Sequence, residues 1–290
     1  MFDNIFAAIE KWMRELLTGM VKSNMSTMFT DVNEKTSEIA AQVGRTPQNW
    51  NSSVFSMIQN LSESVVVPIA GIIITLVLCY ELISMLTERN NLHDVDTWMF
   101  FKYFVKAWVA IYLVSNTFTI TMAVFDVGQS VVNSASGIIN GETAIDVSSL
   151  SMQMQAAMAT MEIGELVVLA LETFLVSFCM KIMSVVITVI VYGRMIEIYL
   201  YTSLAPIPFA TMSNREWGHV GTNYFRGLFA LAFQAFLMMV CVAIYAALIS
   251  SVRISSNMHS ALIGVAAYTV ILCFSLMKTG SLSKQIFGSH

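Results

Sequence analysis

The chain is poor in charge. Asp, Glu, Lys and Arg make up 12% of its 290 residues, against 56% hydrophobic residues and a mean hydropathy of +0.69. A soluble domain carries about 25% charged residues to cover its surface. With half that share the exterior cannot be polar all round, and lipid is the solvent that suits it. Proline is scarce, with 4 residues in all. The 4 cysteines, Cys79, Cys179, Cys241 and Cys273, each sit in a long apolar run. Their spacing makes neither a disulfide framework nor a CxxC site, so they read as small lipid- or core-facing residues. A net charge of −4 argues against a basic nucleic-acid footprint.

Catalytic signatures are missing as well. There is no His-Glu-x-x-His, no Gly-x-Ser-x-Gly and no P-loop. His93, His219, His259 and His290 fall in links or at the end, away from cysteine or acid clusters, and read as surface residues. No catalytic, cofactor-binding or metal-binding residue is expected, and the chain is not expected to be an enzyme. The opening Met1-Phe2-Asp3-Asn4 has no basic segment before an apolar stretch, so no cleavable leader is expected.

What is present is apolar length in helical register. The pattern predicts an all-α integral membrane protein with about five transmembrane helices, an N-terminal amphipathic helix and a long central helix. In the first twenty residues Phe2, Ile5, Phe6, Ile9, Trp12, Met13, Leu16, Leu17 and Met20 recur at three- and four-residue steps, with Asp3, Glu10, Lys11, Arg14 and Glu15 between them. This helix is too polar to span, so its face of Phe2, Ile9, Trp12 and Leu16 is expected to meet the membrane interface or a partner. The stretch 21–60 turns polar, reads as helix plus loop outside the bilayer and completes an extramembrane region over 1–63.

Spans are predicted over Ser64–Leu86 and from Trp98 to Phe125, the second opening on an aromatic belt of Trp98, Phe100, Phe101, Tyr103 and Phe104. Glu81 is placed to snorkel to the interface. Residues 126–160 contain no Lys or Arg and read as an extracytoplasmic loop with one or two short helical pieces. The block 161–290 holds a long apolar run, a proline-rich exit and two more spans, Phe225–Ser250 and Ser260–Met277. The run Met161–Leu204 is read as one helix rather than two, because no Gly, Pro or Asn marks a turn near Lys181. Its end, Ala205-Pro206-Ile207-Pro208-Phe209-Ala210, predicts an extended, kinked exit.

Ionisable residues inside that run are its candidate functional residues, since charge in lipid is costly. Glu165 and Glu172 share one face; Lys181 lies about opposite, on a stripe with Ser177, Ser184 and Thr188. They are expected to join helices or subunits, or else to border a water passage or an ion site. Arg194 and Glu197, three apart, are expected to pair. Small residues Gly227, Ala230, Ala232 and Ala235, and the Ser260/Gly264 step, predict close helix packing. Lys and Arg in short links (Arg89, Lys102, Arg194, Arg215, Arg226, Lys278, Lys284) predict a cytoplasmic C-terminus, with the N-terminal region and 126–160 outside; Arg253 is the exception.

The succession of polar N-terminal region, five spans, positive-free loop, long helix ending in Leu204-Ala205-Pro206 beyond Arg194 and Glu197, and Trp217-bearing link resembles the TrbL family. These are polytopic inner-membrane subunits of type IV secretion and conjugation machines. The resemblance covers most of the chain from about Ser64 and implies a structural channel or scaffold subunit of the bacterial cytoplasmic membrane. It implies no cofactor, a homo-oligomer, partner secretion subunits including ATPases supplied in trans, and nucleic acid only as translocated cargo. Without a long polar C-terminal tail the chain looks like the versions carried by conjugative elements of Gram-positive bacteria. Alternatives are a small secondary transporter, for which no internal repeat is seen, and a holin-like pore or scaffold protein.

Overall fold

A computed structural model describes residues 2–87, 97–139, 147–251 and 258–289. Arg89, His93, Arg253, His290 and residues 140–146 of the predicted loop lie outside these. The elements are α1 (Phe2–Val43), α2 (Pro47–Trp50), α3 (Ser52–Leu61), α4 (Val67–Thr87), α5 (Thr97–Ser115), α6 (Thr117–Ile139), α7 (Val147–Ala159), α8 (Ile163–Ser203), α9 (Pro206–Thr211), α10 (Gly218–Ser250) and α11 (Met258–Phe287). No strand occurs among the described residues. Five helical stretches are long and apolar enough to cross a membrane: Ser52–Thr87, α5, α8, α10 and α11. The fold is all-α and membrane-spanning, as the composition required.

Three local features differ from the sequence reading. First, α1 does not stop near Met20. Leu17, Val21, Met25, Met28, Val32, Ile39 and Val43 are all buried, a second stripe at helical steps that carries the helix through the polar stretch. Second, α6 extends to Ile139 and α7 spans Val147–Ala159, so helix occupies most of 126–160. Third, the proline exit is not extended. Pro206 opens α9, and Pro208 also falls in its first turn, where backbone N–H groups have no intrahelical partner to lose. By contrast, Met161–Leu204 contains one uninterrupted 41-residue helix, about 60 Å long. At Pro68 the α3–α4 helix copes by widening: Ser62–Val66 forms a π-turn, and the Val67 N–H reaches the Ser62 carbonyl.

The chain divides into two compact units, and α6, α8, α10 and α11 contribute to both. The first comprises 1–43, 134–191 and 238–278. Here α1 runs parallel to α8: Arg14 donates to the Met161 carbonyl (2.8 Å), Asn24 to Thr173 (3.4 Å) and Lys35 to Thr188 (3.2 Å). The near-constant offset of the pairs sets the direction.

The second unit comprises 44–133, 192–237 and 279–290. One of its cores joins Val124 and Phe125 of α6, Met195, Ile198 and Tyr199 of α8, and Leu228 and Ala232 of α10. The other buries Phe209 and Ala210 of α9 against Ala70, Ile74 and Leu78 of α4 and Ala110 and Val114 of α5. The small residues of α10 do permit close approach: a Cβ on Gly128 would stand 2.9 Å from the Ala232 carbonyl oxygen. Gly264 of the Ser260/Gly264 step meets no such neighbour among the described residues.

Candidate functional site

Polar side chains concentrate along the α1–α8 seam of the first unit. The Ser177 hydroxyl donates to the Asn24 carbonyl (3.1 Å), beside the Asn24–Thr173 contact. Three turns on, Lys35 reaches Thr188 and pairs with Glu38. Between these levels a cavity of about 20 Å³ is lined by Asp31, Lys35, Ser184, Tyr245 and Thr269 among others. That is about the volume of one water, and most of the lining surface is apolar. Tyr245 of α10 and Thr269 of α11 are hydrogen-bonded to each other (2.9 Å), so four helices meet here.

The predicted intramembrane residues do not share one site. Glu165 is exposed at the start of α8 and its carboxylate accepts the Glu162 backbone N–H (3.1 Å), the reciprocal half of a capping box. Its charge favours the positive end of the helix. Glu172 pairs with His259 at the start of α11, so His259 is not the solitary surface residue expected. Lys181 is exposed, and among the described residues it has no hydrogen-bond or ion-pair partner. Of its stripe, Ser177 and Thr188 contact α1 and Ser184 borders the cavity.

The expected Arg194–Glu197 pair is replaced. Glu197 takes Lys284 of α11 (3.1 Å), while Arg194, 7% exposed, turns inward to the Leu231 carbonyl (3.4 Å). The two side chains point to different neighbours because α10 and α11 each present a partner. Beside them Tyr199 donates to the Pro47 carbonyl (2.6 Å), tying α8 to the start of α2.

Pro206 is buried with α9, and the chain then turns back sharply. Asn214 accepts the Glu216 and Trp217 N–H groups (2.7 and 3.0 Å), closing a turn, and Trp217 stacks on Tyr80 of α4. Tyr80 donates to Glu216 (2.9 Å). Glu81 does not reach alone for the interface; it holds Lys106 of α5 (2.6 Å) with Arg215 at 4.0 Å. The Trp217 link is therefore fixed to α4 through Tyr80 and Glu81, and Glu81 in turn holds Lys106 of α5. Of the amphipathic face, Ile9, Trp12 and Leu16 are exposed, Trp12 at 62%. The side chain of Phe2 lies outside the described residues.

Among the described residues no group of His, Cys, Asp and Glu could hold a metal ion, and the four cysteines are free. The arrangement offers buried hydrogen bonds, ion pairs and a small, mostly apolar pocket.

No curated protein and no solved structure matches the chain. A family model described as TrbL/VirB6 plasmid conjugal transfer like protein matches residues 32–206, from within α1 to the first residue of α9 and more than half of the chain. This multi-pass membrane protein belongs to the TrbL/VirB6 family, a component of type IV secretion and conjugal transfer.

Proposed function

We propose that the chain is a structural channel and scaffold subunit that helps pass DNA–protein substrates across the bacterial cytoplasmic membrane. It performs no bond chemistry itself. Energy comes from ATPases supplied by partner subunits, and several copies assemble. The family match over residues 32–206 carries the reading. The surface supports it: Val168, Leu171, Phe174, Phe178, Val185, Val189, Ile196 and Leu200 of α8 are all exposed in the single chain. A row of this length needs lipid or further subunits to cover it. The distribution of Lys and Arg favours a cytoplasmic C-terminus.

Removing the gene from a donor cell tests this. Transfer should fall to background and return with the gene in trans, and secretion ATPases should co-purify in mild detergent. Unchanged transfer would reject the reading. A small secondary transporter is the second reading. The break between α8 and α9, buried against α4 and α5, is the observation that favours it. Solute uptake dependent on the chain in cells lacking the conjugation machine would select it.

A further inference from the structure

We infer that α1 runs at membrane depth and that its polar face, Ser23 to Ser37, borders a water-filled passage. The cavity fixes the depth. Asp31 and Lys35 share it with Thr269, midway along the apolar run Ala261–Met277 of α11, with Tyr245 in the apolar end of α10, and with Ser184 of α8. At the same levels Phe178, Val185 and Val189 of α8 and Ile271 and Phe274 of α11 are exposed. Faces this apolar belong in lipid, so the α1 segment hydrogen-bonded to Thr173 and Thr188 lies in the bilayer beside them.

The side of α1 turned away from its buried stripe is a different surface. Ser23, Ser26, Thr30, Glu34 and Ser37 are exposed, and none is apolar. They recur at three- and four-residue steps and so lie on one face. The hydroxyl of Thr27, exposed on the same face, is satisfied by the Ser23 carbonyl, but among the described residues Glu34 has no hydrogen-bond or ion-pair partner. A carboxylate at membrane depth is stable only against a partner or water. The same face is apolar from Ile5 to Met20, so the hydrated length begins at Ser23. Low mean hydropathy hides such a helix from span counting, because one of its two faces is not meant for lipid. On this inference α1 from Ser23 onward lies at membrane depth, and the extramembrane part of 1–63 is correspondingly shorter. The inference rests on the channel reading for what the passage carries, and on geometry for its existence.

The test uses the full chain in donor cells with the complete machine. The four cysteines are replaced, and single cysteines are placed at Ser26, Thr30 and Ser37 on α1 and at Phe178 and Val185 on α8. Variants that retain transfer are treated with a charged methanethiosulfonate reagent. The α1 positions should react about tenfold faster than the α8 positions, because the thiolate and the reagent both need water. Equal, slow reaction at all five would overturn the inference by showing α1 covered. Equal, fast reaction would overturn it by placing the whole unit outside the bilayer. Transfer is then measured on the labelled cells. Fast α1 labelling with a fall in transfer of about tenfold supports passage of cargo along this face. Fast labelling with transfer unchanged leaves the hydrated face standing and removes the channel reading instead.

Discussion

Replacing Gly221 with alanine probes the turn that carries the chain from α9 into α10. A Cβ there would stand 2.4 Å from the Pro208 carbonyl oxygen and 2.1 Å from Cγ of Met212. The methionine can swing aside; the carbonyl is backbone and cannot. An ordinary contact needs about 3.4 Å, so α9 and α10 must separate by roughly 1 Å. Forcing an extra carbon into a packed site costs about 1–3 kcal/mol. Alanine returns about 0.5–1 kcal/mol of helix propensity in the first turns of α10. The net loss is about 1–2 kcal/mol, or roughly 2–6 °C in midpoint for a chain of this size. Gly193, inside α8 with nothing within 4 Å of its Cβ position, is the control, and alanine there should raise the midpoint by about 1–3 °C. Thermal unfolding of the purified protein in mild detergent reads both. Gly221→Ala should also lower transfer, since the same turn sets the Trp217 link against Tyr80 and Glu81. A Gly221→Ala protein as stable as the parent would refute the packing argument, whatever its transfer activity.

Trp12→Glu should insert normally yet cut transfer or assembly by about tenfold, as an exposed Trp loses its lipid or partner; mating counts and membrane fractionation measure the two. Lys181→Met should express and insert but weaken the assembled complex in native mass measurements. Lys181→Arg should not, because an exposed cation with no partner among the described residues is placed to meet another subunit, at about 0.6–2 kcal/mol per contact. The double change Pro206→Ala/Pro208→Ala should let α8 run on through Leu204, displacing α9 from α4 and α5 and lowering transfer with the oligomer intact on native mass measurement.

Much of this was legible in the residues. The unbroken α8 follows from the absence of any breaker around Lys181, and the five spans follow from length and apolarity. The continuation of α1 had a signal, since Val21, Met25, Met28 and Val32 are correctly spaced, but the hydroxyls and charges between them lower the average. Pro206 and Pro208 misled because proline forbids helix in the interior and favours it in the first turn; the sequence alone does not say which position it holds. Partner choice was out of reach. Glu172 finds His259 and Glu197 finds Lys284 because α11 packs beside α8, a tertiary fact that no local spacing encodes.

If the proposed channel role holds, cargo DNA passes along this protein. Mating donor cells can be cross-linked with formaldehyde, the chain recovered under denaturing conditions, and the bound DNA quantified. The transferred strand should be enriched over a resident non-mobilised plasmid, and that enrichment should be lost when the partner ATPases are inactive. Transfer at normal frequency with no enrichment of the transferred strand would contradict it.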